Sequence, residues 1–155
     1  MMDKILRVVI DTNHIISAIL SSRGASAKLI DWLVDEEDYF RLLLTESIWD
    51  EYCTVADWLI PDSRQVEMER ILRTLQTHSE WIKPGLRINV CRDRSDNHFL
   101  ECAVAGNAAY LVTKNIRHFP SKEYRNVKIV RIKKFLDELE KMKMARAKQK
   151  KINYL

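Results

Sequence analysis

Glycine, proline and cysteine are all scarce in this chain, three of each in 155 residues. So few turn-forming residues argue against a small loop-rich fold. The glycines, Gly24, Gly85 and Gly106, stand far apart, and neither GxGxxG nor GxxxxGK[ST] occurs. That sets aside a nucleotide- or phosphate-binding protein built on a glycine-rich loop. The cysteines, Cys53, Cys91 and Cys102, are odd in number and form no CxxC pair. Neither a disulfide framework nor a thiolate zinc site is indicated, and a reducing cytoplasm is the expected setting. Cys53 and Cys102 fall in helical patterns and are expected to pack as small apolar residues. No apolar run approaches the roughly 20 residues of a membrane span. The opening MMDKILRVVID carries an acid at Asp3 and no small-residue cleavage site, so no signal peptide is expected.

What is present is a core-forming composition. Hydrophobic residues make up 46% of the chain, and one domain of this length can bury roughly 70% of its unfolded surface. Net charge is +4, a mild hint of a polyanionic partner. Much of the excess lies in KKFLDELEKMKMARAKQKK, which reads as a solvated helix face with a frayed end. Residues 1–140 are therefore taken as the domain and 141–155 as a basic helix end or tail.

Strand and helix patterns alternate. ILRVVI reads as a first strand, apolar and β-branched as a strand covered on both faces should be. Helices are expected over 14–21 and 26–35, a strand over 39–45, and a helix over 46–59 ended by Pro61. A helix over 63–77 should bury Val66, Ile71, Leu72 and Leu75. A weaker strand is expected at 87–91, a helix at 96–105, strands at 109–113 and 127–130, and a last helix from IKKFLDELEKM. Such alternation predicts an α/β, three-layer sandwich: an open, mainly parallel sheet with helices on both faces.

Four residues fall where such a sheet places its sites, beyond the carboxyl ends of the strands. Asp11 ends the first strand in RVVIDTNHIISAIL, where a buried charge is costly unless paired. In ESIWDEYCTVADWL the apolar face is Ile48, Tyr52, Val55, Ala56 and Leu59. At about 100° per residue, Glu46 and Asp50 point away from it while Glu51 lies only about 60° off its centre. In DRSDNHFLECA, Asp96 shares the buried arc of Phe99, Leu100 and Ala103, with Asn97 and Glu101 outside it; Asp93 precedes the helix. Asn115 follows the strand in AYLVTKNIRHF. Each has an ordinary alternative: an Asx-turn or cap for Asp11, a snorkelling boundary residue for Glu51, a cap for Asp96, a turn for Asn115. Together they converge on one edge. Three carboxylates meeting there would raise one another's pKa or gather a divalent cation, and oxygen ligands suit Mg²⁺ or Mn²⁺ better than zinc. His14 and His98 lie on different helices with no H-x-x-x-H partner and are set aside as ligands.

The ordered set VVIDTNHIISAIL, a helical Glu after the second strand, and DRSDNHFLECAVAGNAAYLVTKNIRHFP resembles the PIN-domain family, and within it the bacterial branch of toxins from toxin–antitoxin pairs. The likeness runs over roughly residues 6–137. It implies a PIN-like five-stranded parallel sheet and a Mg²⁺- or Mn²⁺-dependent endoribonuclease leaving 5′-phosphate and 3′-hydroxyl ends. Asp11, Glu51 and Asp96 match the family's three acidic positions. Asn115 stands where a fourth acid usually follows the strand, and His118 occupies a nearby place that is sometimes Asp. Asn13 matches the asparagine of the DTN element and is expected to steady Asp11. Asp11 and Asp96 are the expected direct metal ligands, with Glu51 a ligand through water or the residue that orients the attacking water. Arg92, Arg94, Lys114 and Arg117 are candidates for holding the RNA backbone, and Asp93 is a weaker contributor to the site. The resemblance also implies an antitoxin partner and a homodimer as common features. The competing expectation is a PIN-fold module that binds RNA or protein without cleaving it, which Asn115 favours.

Overall fold

The sheet is built outward from β1 (Leu6–Ile10), whose Val8, Val9 and Ile10 are buried from solvent almost completely. The computed structural model describes residues 3–155; Met1 and Met2, part of the segment read as lacking a leader, lie outside the described residues. α1 (Thr12–Leu20) and α2 (Ala25–Leu33) lead to β2 (Phe40–Leu44), then α3 (Glu46–Leu59), α4 (Gln65–His78) and β3 (Ser79–Trp81). After an irregular stretch come α5 (Asn97–Ala105), β4 (Tyr110–Val112), β5 (Glu123–Tyr124), β6 (Val127–Val130) and α6 (Ile132–Asn153).

The strand order is β3-β2-β1-β4-β6-β5. Five strands are parallel, and only β5 runs antiparallel, against β6. The sheet therefore has six strands rather than five, through the addition of the two-residue β5. Its centre is a continuous apolar layer: Leu42, Leu43, Leu44, Leu111 and Val112 are buried like their β1 neighbours. Full burial of each such side chain stabilises the fold by about 1.5–3 kcal/mol. α1 packs on α2, α3 and α4; α5 lies against β1, β2 and β4; α6 lies against β4 and α2.

Three expectations are corrected. Residues 87–91 form no strand. Their amides are satisfied by side chains instead: Ile88 N–H donates to Glu101 Oε1 at 3.1 Å, and Val90 and Cys91 N–H donate to Asn97 Oδ1 at 3.1 and 2.9 Å. Asn97, expected outside the buried arc, is accordingly buried. In α4 the buried set is Met68, Ile71 and Leu75, with Leu72 partly buried and Val66 83% exposed. At about 100° per residue Val66 lies roughly 140–180° around the helix from Met68, Ile71 and Leu75, on the solvent face. The last helix continues well past Met142, because Arg146 is drawn into the protein: it donates to the carbonyls of Glu37, Lys4 and Asp38 and stacks over Tyr39 at 4.3 Å.

Candidate active site

β1 and β4 are neighbours, yet the chain leaves them toward opposite edges of the sheet. Such a switch point opens a crevice beyond the carboxyl ends of the strands. Asp11 stands there, its backbone N–H donating to the Val112 carbonyl at 2.9 Å. Although Asp11 sits at the N-cap position of α1, its carboxylate makes no capping hydrogen bond. It accepts instead from the Thr113 hydroxyl at 2.7 Å. Burial raises the Asp11 carboxyl above its ordinary value, against the pull of Thr113 and of the nearby Asn13 and Thr12 amides; the charge of Glu51 raises it further. The Asn13 side chain is exposed and makes no hydrogen bond to Asp11, so the steadying contact comes from Thr113. Below, the buried Tyr52 hydroxyl donates to the Ile10 carbonyl and fixes the peptide that leads into Asp11.

α3 begins firmly, with the Thr45 hydroxyl accepting from Ile48 N–H at 3.3 Å. That start sets the helical phase, leaving Glu46 and Asp50 exposed and Glu51 half-buried, facing the crevice. The Thr12 hydroxyl donates to Glu51 Oε2. His98 Nε2 lies 3.1 Å from Glu51 Oε1, close enough to pair with its charge but off the line of a good hydrogen bond. The other ring nitrogen, Nδ1, is 2.7 Å from the Ser47 hydroxyl. Burial alone would raise the Glu51 carboxyl, but His98 and Thr12 outweigh it and hold it below its ordinary value.

A short 3-10 turn, Arg94–Asp96, precedes α5, and it is Asp93 that caps it, accepting from Ser95 N–H at 3.0 Å. Asp96 makes no capping hydrogen bond and is free for the crevice. Its Oδ2 accepts from His118 Nδ1 at 3.0 Å. Burial raises the Asp96 carboxyl, His118 pulls it down, and the charges of Asp11 and Asp93 push it up again. Asp93, exposed and hydrogen-bonded by Ser95, is held low. Ligand atoms of Asp93, Asp96 and His118 all lie within 4.8 Å of one another.

The structure thus brings Asp11, Glu51 and Asp96 into one field, with Asp93 and His118 at its outer side. Asn115 sits in the turn after β4, its N–H donating to Thr113 Oγ1 at 3.0 Å and its carbonyl accepting from His118 N–H at 3.0 Å. Its side chain makes no hydrogen bond to the acids. Arg92, Arg94, Lys114 and Arg117 are exposed around the crevice; Lys114 Nζ donates to Ser17 Oγ at 2.8 Å. Among the described residues, no lysine or arginine pairs with Asp11, Glu51, Asp93 or Asp96; the ring nitrogens beside them belong to His98, on Glu51, and His118, on Asp96. A set of carboxylate oxygens with an adjacent imidazole and no paired lysine or arginine fits a divalent cation.

Sequence reasoning missed Thr12, Tyr52 and Thr113 as the residues that hold the acids, and His98 as the partner of Glu51. Thr113 alone carried a signal, through its place at the strand end beside Asn115.

A mainly parallel α/β sheet with acids gathered at its switch point defines the class. Residues 7–117 match the family model described as PIN domain, and the chain belongs to the PIN-domain family, whose members are generally nucleases. An uncharacterized protein from Methanocaldococcus jannaschii is 27% identical over 152 residues, covering 90% of this chain and 96% of that relative. Among solved structures, VapBC2 from Rickettsia felis, determined bound to a DNA fragment from their promoter, matches with a TM-score of 0.54 and 16% identity over 81% of this chain and 98% of that one. At that identity the match supports the fold.

Proposed function

We propose that this protein is an endoribonuclease that hydrolyses RNA phosphodiester bonds in the Asp11–Glu51–Asp96 crevice with Mg²⁺ or Mn²⁺, as the toxin of a toxin–antitoxin pair. The observation that carries the reading is the convergence of three carboxylates, from the end of β1, from α3 and from the start of α5, at the switch point of the sheet with no lysine or arginine paired to them among the described residues. Asp11 and Asp96 are the direct ligands. The cation, when bound, supplies charge neutralisation at the phosphodiester and a more acidic water.

The chain's own residues do the rest. Thr113 and Tyr52 fix Asp11 in place. Glu51, kept anionic by His98 and Thr12, orients the attacking water and accepts its proton. Water oxygen bonds to phosphorus as its proton passes to Glu51, and the bond to the 3′-oxygen breaks, that oxygen taking a proton from solvent, leaving a 5′-phosphate and a 3′-hydroxyl. Asn115 offers a neutral oxygen at the rim. The exposed Arg92, Arg94, Lys114 and Arg117 hold backbone phosphates. Residues 1–140 form the nuclease unit, and 141–155 its basic helical end.

The antitoxin partner rests on the family and on the fold shared with VapBC2. It would be a protein segment entering the acidic crevice, and a homodimer is the expected resting form. Among the described residues no helix is long and apolar enough to cross a membrane, in keeping with a cytoplasmic setting.

The test is incubation of labelled RNA with pure protein and Mn²⁺, alongside Asp11→Asn and Asp96→Asn. Each substitution is expected to lower the cleavage rate by roughly 10²–10³-fold, the scale of losing one preorganised electrostatic contact. Cleavage surviving both would place the activity elsewhere. A second reading, a binding module without cleavage, is favoured by Asn115, a neutral residue whose side chain makes no hydrogen bond to the acids. RNA binding with no cleavage under any metal would support it.

A further inference from the structure

The outer side of the crevice differs in donor chemistry from the inner side. On the inner side Asp11 acts on Asp96, and Glu51 on Asp11, with oxygen alone. Asp93 and His118 face Asp96 from outside, and His118 brings a nitrogen. The two loops that carry them are tied together, since Arg92 N–H donates to the His118 carbonyl at 2.9 Å. The short 3-10 turn Ile116–His118 presents the ring. It does so next to Asn115, the residue expected to supply the fourth site ligand, whose side chain makes no hydrogen bond to the acids.

We propose that His118, not Asn115, completes the cation site, and that its imidazole, acting with Asp93 and the shared Asp96, makes the protein select Mn²⁺ over Mg²⁺. Mg²⁺ demands near-ideal octahedral oxygen coordination and gives up its waters reluctantly. Mn²⁺, though the weakest-binding of the first-row transition ions, accepts a nitrogen donor among oxygens more readily than the strictly oxygen-seeking Mg²⁺. A nitrogen ligand also adds no negative charge to the repulsion among the acids. Asp96, with two carboxylate oxygens, can serve the inner and outer groups together. The inference rests on the nuclease reading for the existence of a cation site, but not on the identity of the substrate.

Mn²⁺ binding to the intact protein tests it, followed by electron paramagnetic resonance and by pulsed measurements of nuclear modulation on the bound ion. Wild type is expected to show ¹⁴N modulation from a directly bound imidazole and to bind Mn²⁺ more tightly than Mg²⁺. His118→Ala should remove the modulation and weaken Mn²⁺ by at least the roughly tenfold that even a supporting partner is worth. His118→Asp restores an all-oxygen set and should bring the Mn²⁺ and Mg²⁺ affinities together. Absence of nitrogen modulation in folded, Mn²⁺-loaded wild type overturns the proposal without any variant. So does an unchanged Mn²⁺ to Mg²⁺ ratio in His118→Asp with its melting curve intact. Nitrogen ligation without RNA cleavage would leave this inference standing and remove the nuclease reading, whereas cleavage with an all-oxygen ion would do the reverse.

Discussion

The two ends of the sheet treat charge in opposite ways. At the amino-terminal end several charges have partners from within the chain. Arg7 donates to the Gly106 carbonyl at 2.7 Å and pairs with Glu80, which Arg41 also approaches at 3.9 Å. Arg146 is buried against three carbonyls and an aromatic ring. Lys150 reaches Glu37 at 2.6 Å. At the carboxyl end, acids face acids. Burial and mutual repulsion hold Asp11 and Asp96 above the ordinary carboxylate range, and the cations nearest in sequence point to solvent or, like Lys114, to a serine. At one end arginines and lysines meet acids and carbonyls of the same chain. At the other, acids crowd one another with hydroxyl and imidazole neighbours but no paired lysine or arginine among the described residues, and this asymmetry separates scaffold from site.

The contrast can be broken first at the scaffold end. Arg146→Ala strands the carbonyls of Lys4, Glu37 and Asp38, and each stranded partner costs about 1–3 kcal/mol. The expected loss is roughly 2–4 kcal/mol in denaturant unfolding, with cleavage per folded molecule unchanged. A loss confined to activity would mean that the helix end belongs to the site.

His14 gives the next effect. Its ring is buried, with Nδ1 sharing a hydrogen bond with Ser26 Oγ at 3.0 Å and Nε2 unpaired. Burial lowers its pKa to about 4 from 6.5. Between those values the unfolded chain binds a proton that the native ring refuses, so stability is lost as pH falls. The slope is at most about 1.4 kcal/mol per pH unit. His14→Gln should flatten that part of the stability profile. An equal slope in the variant would assign it elsewhere.

Asp96→Asn tests the stored repulsion. Removing one of the facing charges should raise the metal-free melting temperature by a few degrees, the scale of about 1 kcal/mol. It should also abolish the stabilisation that Mn²⁺ gives wild type. A lower melting temperature with the Mn²⁺ shift retained would make Asp96 structural. Smallest is Tyr52→Phe, which leaves the Ile10 carbonyl unpaired. A loss near 1 kcal/mol is expected, with a modest fall in cleavage as Asp11 loosens, read by unfolding and by rate on the same preparation.

Local pattern carried much of the architecture. ESIWDEYCTVADWL forms its helix over the expected Glu46–Leu59, and VKIV its strand over Val127–Val130, because each holds one period without interruption. The misses had physical causes. RINVC alternates like a strand, but Asn97 and Glu101 take its amides. The Ser79–Trp81 strand is too short to show a period and follows a helix without a break. Asp11, Glu51 and Asp96 were legible from their positions on their elements, whereas the threonines, Tyr52 and His98 that hold them were not, since those contacts join residues far apart in the chain.

By itself the sequence determined the alternation of strand and helix, the apolar centre of the sheet and which acids sit at strand ends, since all three follow from periodicity and local order. Only the tertiary structure decided what surrounds those acids. It set Thr113 on Asp11, His98 on Glu51 and His118 on Asp96, because strand order and packing, not spacing along the chain, determine which side chains come within ångströms of each other.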